Sequence, residues 1–449
     1  MHNLIFLWIT RLRQNYWFLP SLMVLVALFL GFLLPYVDTQ LGSDWIRAVG
    51  FLRATEVDGA RAILTTLAGA TLGVAGVAFS VTIVAVSFAS SNYGPRLIGN
   101  FMGDRTNQII LGIFVATFVY CITVLSTVHA STEFSDTTLE AFVPQLSVLF
   151  ALLLTLAAVG ALIVYIHHIP ESINIMNLTA GIGDKLHSAI VGMLDKEDQR
   201  GRDDEDPSVE PWRGTPPTET GHRVCAKAAG FLQQFDLEKL TTLATREEIQ
   251  ITLHRAPGDF IVAGAIIMSA TPERSGDDGS IEDQMRDCYT QGANRTGVQD
   301  ILFLSDQLVE VLGRALSTGV NDPHSAMLCL DWLRAGLVAF AQRAPAGPAG
   351  RNDPVLYRRV TFEDMLNRSF DEMRQYVAAD RTATLHAIDV LTDLALAASR
   401  QDMVDACVHQ IQRLAGSAEE LLTESVARAE VETELNRALR AIAGRERPR

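Results

Sequence analysis

Four long stretches without a formal charge restrict this chain more than any other feature. The first, WFLPSLMVLVALFLGFLLPY from Trp17 to Tyr36, is twenty residues, about 30 Å as a helix and enough to cross the hydrocarbon core of a bilayer. Ala62 to Ser91, Gln108 to Val128 and Val143 to Ile166 follow. In lipid a backbone has only its own groups to bond with, so each run is expected to be a helix and the expected count is four spans. Arg11 and Arg13 precede the first run, which gives it a second reading as a cleaved signal peptide. It is too apolar for too long, and no A-x-A site follows, so it is expected to remain as an anchor.

Arginines near the ends of spans set the expected orientation. Arg11 and Arg13 lie before the first span, Arg96 and Arg105 between the second and third, and Ala130 to Phe142 has no basic residue. Both termini are therefore expected on the cytoplasmic side. Arg47, Arg53 and Arg61 in the first loop point the other way, although Asp38, Asp44, Glu56 and Asp58 accompany them. Trp8, Tyr16, Trp17, Tyr36 and Trp45 flank the first span, where interfacial rings prefer to sit.

The second span carries a stripe. Gly69, Gly73, Gly76, Ser80, Ser87 and Ser90 recur at three, four or seven residues, so they line one side of a helix. Small residues let helix backbones approach closely, and Gly69 with Gly73 matches G-x-x-x-G. The other reading is that small and hydroxyl residues from several subunits surround a water-filled path. No span holds an Asp, Glu, Lys or Arg, so the usual marker of a proton relay is missing. His167 and His168, ahead of Pro170, point about 100° apart on a helix and read as interfacial anchors rather than one metal site.

Charge separates the rest of the chain from these spans. The net charge is -15, yet residues 1 to 170 hold seven Arg, no Lys and eight carboxylates, leaving 30 basic and 44 acidic residues beyond. So acidic a portion repels phosphate backbones, and nucleic acid is not expected as a partner. Cys121, Cys225, Cys288, Cys329 and Cys407 form no C-x-x-C pair, which argues against a disulfide framework or zinc cluster and for free thiols. Neither metal nor cofactor is expected.

Beyond the spans, Glu171 to Asp195 has the pattern of an amphipathic helix lying on the bilayer or packing on the bundle. Lys196 to Gly221, rich in charge, Pro and Gly, reads as a linker. Short β-like runs follow: RVCAKA, GFLQQF, EIQITLH and DFIVAGAIIM, with a turn at Ala256 to Asp259 and a helix from Asp236. This small β unit resembles the barrel-sandwich folds of carrier domains, without a modifiable Lys at the hairpin tip. Expected limits are 1–169 for a four-helix transmembrane domain, 170–222 for the amphipathic helix and linker, and 223–275 for a β-rich domain. A helical region at 276–345 and a strand with helices at 346–449 complete the chain. The predicted fold class is an α-helical membrane protein with a C-terminal cytoplasmic α+β region. In the last part LYRRVTF is a predicted strand, followed by helices near Glu363 to Ala378, Thr382 to Ser399, Gln401 to Leu414 and Ala418 to Ala443.

RALSTGVNDPHSA, Arg314 to Ala326, looks most like an active-site loop. It joins two helices, and each conspicuous residue also has a structural use. Gly319 can take a positive φ past the first helix, Asn321 or Asp322 can cap the second, and Pro323 suits its first turn. Catalysis by Ser317, Asp322 and His324 needs a nucleophile, base and acid in one geometry, and His324 and Ser325 diverge at a helix start. The loop therefore reads as a cap and subunit contact. No phosphate loop, dinucleotide fingerprint, H-E-x-x-H or G-x-S-x-G occurs, so no catalytic motif is recognised.

Together these stretches carry a resemblance. FSVTIVAVSFASSNYGPRLIGNFMGDR from Phe79 to Arg105, LGIFVATFVY after it, APGDFIVAG, RTGVQD from Arg295 to Asp300, and RALSTGVNDPHSA look like the bacterial membrane proteins of the domain of unknown function 2254 family. The likeness runs from about Trp17 to about Leu396. Thr318 and Val320 stand where that family commonly has Pro and Ile. The resemblance implies a membrane location and no established activity, substrate or cofactor. Two readings follow: a homo-oligomeric, channel-like protein with a cytoplasmic regulatory part, or a membrane-anchored scaffold or sensor whose acidic part binds a protein or small ligand. A hydrolase using His324, or Arg295 with Asp300, is third.

Overall fold

The computed structural model describes residues 17–41, 56–94, 104–129, 132–134, 137–139, 142–201, 222–271, 280–343 and 354–445. Arg11, Arg13, Trp8, Tyr16, Trp45, Arg47, Arg53, Arg96 and most of the Lys196 to Gly221 linker lie outside the described residues. The chain divides into two compact units, Met1–Asn177 and Leu178–Arg449.

The first unit is a bundle of four helices long and apolar enough to cross a membrane: α1 (Phe18–Leu41), α2 (Val57–Tyr93), α3 (Arg105–Leu125) and, after the hairpin of β1 (Thr132–Phe134) and β2 (Thr137–Leu139), α4 (Gln145–Ser172). The central helix is α3, with 56% of its apolar window buried against 22% in α1 and α2 and 28% in α4. Around it α2 lays down Ala60, Leu64, Ala68, Thr71, Ala75, Ala78, Ala85 and Ala89, all buried at helical spacing. Small side chains on that face bring its backbone close to its neighbours, which in lipid is the main source of packing energy. Gly112 does the same between α3 and α1, where an added Cβ would come 2.4 Å from Met23 Sδ.

Polar side chains at the bundle ends tie helices together. The first helix runs past its apolar run to Leu41, so Asp38 is helical and buried rather than a loop charge. Its carboxylate accepts the Leu146 and Ser147 backbone N–H groups at 2.9 and 3.0 Å and the Ser147 hydroxyl at 2.7 Å. That satisfies the orphan donors that open α4. Asp104 caps α3 at the Thr106 N–H and also pairs with His168 near the end of α4. The imidazole expected to be an interfacial anchor is thus a helix-to-helix contact, while its neighbour His167 pairs with Glu171 at 3.2 Å.

The helix α5 (Ile175–Gly201) belongs to the second unit from Leu178 on. Leu178, Ile182, Leu186, Ile190 and Leu194 are buried at intervals of four, and this stripe is used inside the unit. Leu186 and Ile190 flank Gly336, and Gly183 lies against the Trp332 ring. The helix expected to lie on the bilayer or the bundle therefore has its apolar partner in residues far along the sequence.

Two small sheets follow, from β3 (His222–Cys225), β4 (Gly230–Phe235), α6 (Leu237–Glu247), β5 (Gln250–Leu253), β6 (Phe260–Ile261), β7 (Ile266–Thr271), α7 (Ser280–Arg286) and β8 (Tyr289–Gly292). One has the order β3-β7-β5 with β9 (Val355–Leu356) at its edge, the other β6-β4-β8. Leu232, Phe235, Leu240, Leu243, Ile251, Ile267 and Met285 fill the core between them. The β unit drawn at 223–275 thus also recruits Tyr289–Gly292, antiparallel to β4, and Val355–Leu356, parallel to β5. Of the predicted LYRRVTF strand, Leu356 to Phe362, only Leu356 is in a strand, as the last residue of β9.

Six helices complete the unit: α8 (Ile301–Ala315), α9 (Pro323–Gln342), α10 (Phe362–Val377), α11 (Arg381–Ala397), α12 (Gln401–Leu421) and α13 (Ser425–Ala443). The helix break expected near residues 415–417 falls instead at Leu422 to Glu424. A single Gly416 costs a helix only about 1 kcal/mol, and buried Leu414, Ala415 and Ala418 carry the packed stripe through it.

Candidate functional site

The two most distinctive stretches of the second unit sit at opposite ends of α8, about 22 Å apart for a helix of 15 residues. At its C-terminal end the loop Arg314 to Ala326 is held by its own backbone. The Ser317 hydroxyl donates to the Arg314 carbonyl at 2.6 Å, and the Asp322 N–H reaches the Ala315 carbonyl at 2.7 Å. The left-handed residue is Asn321, with φ 49°, and Gly319 does not adopt a positive φ. Asn is the non-glycine residue that tolerates this region best, so the glycine expected for the turn is not the one that makes it. Asp322 caps α9, accepting the Ser325 N–H at 3.2 Å and its hydroxyl at 2.5 Å, with Pro323 opening the helix. These bonds hold the Asp322 carboxyl below its ordinary pKa, the Ser325 hydroxyl first among them. Arg314 faces Glu310 at 3.7 Å, and His324 is exposed. Ser317 is committed to its own helix rather than to His324, so the loop is not arranged as a nucleophile, base and acid.

The other end of α8 is built differently. Asp300 caps it at the Phe303 N–H, 3.0 Å away, and is 4% exposed. Arg295 donates to Asp300 at 2.8 Å through Nε and to Asp306 at 2.7 Å through a terminal nitrogen, with its guanidinium 5.1 Å over the Phe303 ring. Asp306, 2% exposed, also takes two hydrogen bonds from Arg368 of α10, at 3.0 and 3.1 Å, and Arg368 continues to Glu372 at 3.0 Å. Burial pushes the Asp300 carboxyl up even though Arg295 pulls it down. Burial also works against the Arg295 charge, but Asp300 and Asp306 outweigh it and hold the guanidinium above its ordinary value.

The turn Ala256 to Asp259 closes on this network from the β unit. Gly258 has φ 99°, and a Cβ there would fall 2.2 Å from Asp300 Oδ2; no residue but glycine fits without displacing the carboxylate. Two of the quoted stretches, APGDFIVAG and RTGVQD, thus meet at one point. They border a cavity of about 910 Å³ walled by α5, the β unit, the start of α8 and α10. Asp306 and Arg368 escaped the sequence reading because they are 62 residues apart, and no local spacing marks the pair.

In the bundle, Gly69, Gly73, Gly76, Ser80 and Ser87 are exposed and Ser90 half-buried, on the side of α2 opposite its buried alanines. A Cβ added at Gly69, Gly73 or Gly76 would meet nothing within 4 Å. The bundle packs through the alanine face, and among the described residues nothing lies against the glycines of the other face.

Among the described residues no group of three or more His, Cys, Asp or Glu could hold a metal ion. The cysteines are free. Burial pushes the Cys288 thiol up to about 11 and Cys407 up to about 12, away from nucleophilic thiolate chemistry.

Four apolar helices followed by a larger mixed helix-and-sheet unit define an integral membrane protein with a substantial portion outside the spans. The chain belongs to the DUF2254 family, described as predicted membrane proteins, whose model matches residues 13–393. It is 28% identical over 340 residues to Uncharacterized protein Mb1321c of Mycobacterium bovis and to Uncharacterized protein Rv1290c of Mycobacterium tuberculosis, covering 74% of this chain and 62% of each relative. It therefore spans less than two thirds of the length of the curated relatives it matches. No solved structure matches it.

Proposed function

We propose that this protein works as a homo-oligomer in the bacterial inner membrane, with both termini cytoplasmic. In that assembly the Gly/Ser faces of α2 from several copies pack on one another or around a shared channel-like path, and the unit from Leu178 onward regulates it. The observation that carries the reading is the division of labour on α2: alanines at helical spacing serve the chain's own bundle, and glycines with open space above them remain on the opposite side. Close backbone approach between copies is what such a face favours in lipid. The test is the protein reconstituted in lipid, sized for subunit number and assayed for ion flux under voltage, tension or gradient. An oligomer that conducts supports the proposal; a monomer that passes no ions overturns it.

The cavity beside Asp300 favours a second reading, a membrane-anchored sensor or scaffold that needs no conduction. Leucine at Gly69, Gly73 and Gly76 separates the two: a channel loses flux, whereas a sensor keeps ligand or partner capture as long as the bundle folds.

A further inference from the structure

The cavity bordered by Arg295 and Asp300 has a charge balance unlike the rest of its unit. From residue 171 on, the chain carries 30 basic and 44 acidic residues. Around the cavity that acidic excess disappears. Arg255, Arg295, Arg358, Arg359 and Arg368 line it, level with the five carboxylates of Asp259, Asp300, Asp364, Asp371 and Glu372. Behind the wall, Asp306 pairs with Arg295 and Arg368, and Arg374 and Arg413 pair with Asp371.

The carboxylates are also already engaged. Asp300 and Asp306 hold Arg295, and Asp306 holds Arg368. Glu372 holds Arg368, and Asp371 holds Arg374 and Arg413. Asp364 takes Arg358 at 2.7 Å while completing the capping box of α10. Asp259 accepts the Ala256 N–H at 2.9 Å. Each of these carboxylates thus already holds at least one donor. On the other side of the ledger, Arg255 has no carboxylate partner among the described residues, and guanidinium forks retain N–H donors beyond the one or two used per ion pair. Arginine is the side chain best matched to the oxygens of phosphate.

Size and lining supply the rest of the ligand. A volume of about 910 Å³ lies near the upper end of ordinary small-molecule sites. Tyr357, Met193, Val298 and Leu302 contribute apolar wall, and the Arg359 guanidinium stands 5.7 Å from the Tyr357 ring centroid, so cationic and aromatic groups adjoin on one wall. We infer that this cavity binds a phosphate ester of nucleotide size, its phosphate at the Arg255, Arg358 and Arg359 side and its organic body against Tyr357 and Met193. The inference does not depend on whether the spans conduct, because its readout is binding and not flux.

Gly192 of α5 supplies a clean test. It lines the cavity, and a Cβ there meets nothing within 4 Å, so Gly192→Leu fills space without forcing the fold. Titration calorimetry on the full-length protein in detergent should compare ATP, ADP and AMP with short-chain phosphatidylglycerol, and with adenosine and inorganic phosphate. The expected result is saturable binding of at least one nucleotide or of the phospholipid, at least tenfold tighter than adenosine or inorganic phosphate. A nucleotide response identifies a free ligand, and a phosphatidylglycerol response identifies a lipid headgroup. Arg255→Gln and Gly192→Leu should each weaken that binding at least tenfold, while the exposed Arg428→Gln leaves it unchanged. Absence of saturable binding by every probe overturns the inference, and so does binding that either cavity substitution leaves undiminished.

Discussion

The bundle and the second unit leave opposite kinds of surface unmet. In the bundle, polar side chains at the helix ends join helices, as Asp38 does for α4 and Asp104 with His168 does between α3 and α4. What remains is a face of glycine and serine. The second unit uses its apolar residues instead, down to the α5 stripe against Gly336, and what remains is a cavity rimmed by charge. Each remainder follows from the solvent for which the unit is built. In lipid, burying apolar area brings no gain, so spare capacity takes the form of a close-packing face. In water, apolar area is buried first, and spare capacity is polar.

The sharpest way to break this comparison is Asp306→Ala. It strips Arg295 and Arg368 of a shared, buried carboxylate; because Arg295 keeps Asp300 and Arg368 keeps Glu372, the cost is that of lost charged hydrogen bonds, about 3 kcal/mol. Denaturant unfolding of the second unit should show that loss; a change within about 0.5 kcal/mol, the usual range for surface substitutions, would mean the network is not what organises the cavity. Gly258→Ala comes next. With φ 99° and Asp300 in the way of a Cβ, strain of about 1–3 kcal/mol is expected, together with displacement of the turn from Asp300.

Asp322→Ala should cost about 1 kcal/mol, the loss of a helix cap. Because the Asp322 carboxyl is held below its ordinary pKa, its stabilisation is present above that ordinary value and fades as pH falls through the depressed one. The substituted protein should lack this part of the acid limb, and an unchanged stability-versus-pH curve would contradict the assignment. Smallest in stability is Gly73→Leu, within about 0.5 kcal/mol for the monomer because nothing lies within 4 Å of its Cβ. Its expected effect is on association, read as a shift toward smaller species in lipid.

Signals confined to a few residues were legible in the sequence. The spans could be read because charge-free runs of that length have few other uses, and the caps at Asp236 and Asp322 because side chain and backbone lie three residues apart. Gly319 was misread because the turn's need for a left-handed residue is met two positions later by Asn321. Long-range partners were not legible at all: α5 shows an apolar stripe but not that Gly336 and Trp332 will cover it. Likewise Arg295 and Asp300 are visible five residues apart, whereas Asp306 and Arg368 become a pair only once α8 and α10 pack.

The central claim is that the Gly/Ser face of α2 meets another copy of the chain, and cysteine cross-linking in native membranes tests it most directly. Gly73→Cys and Ser80→Cys lie on the Gly/Ser face, Ala75→Cys on the face buried in the chain's own bundle, and Val81→Cys on an exposed flank. Mild oxidation should convert the first two to a covalent species of twice the monomer mass and leave Ala75→Cys, Val81→Cys and the unsubstituted protein as monomers. No dimer at Gly73 and Ser80, or as much dimer at Val81, would contradict the account.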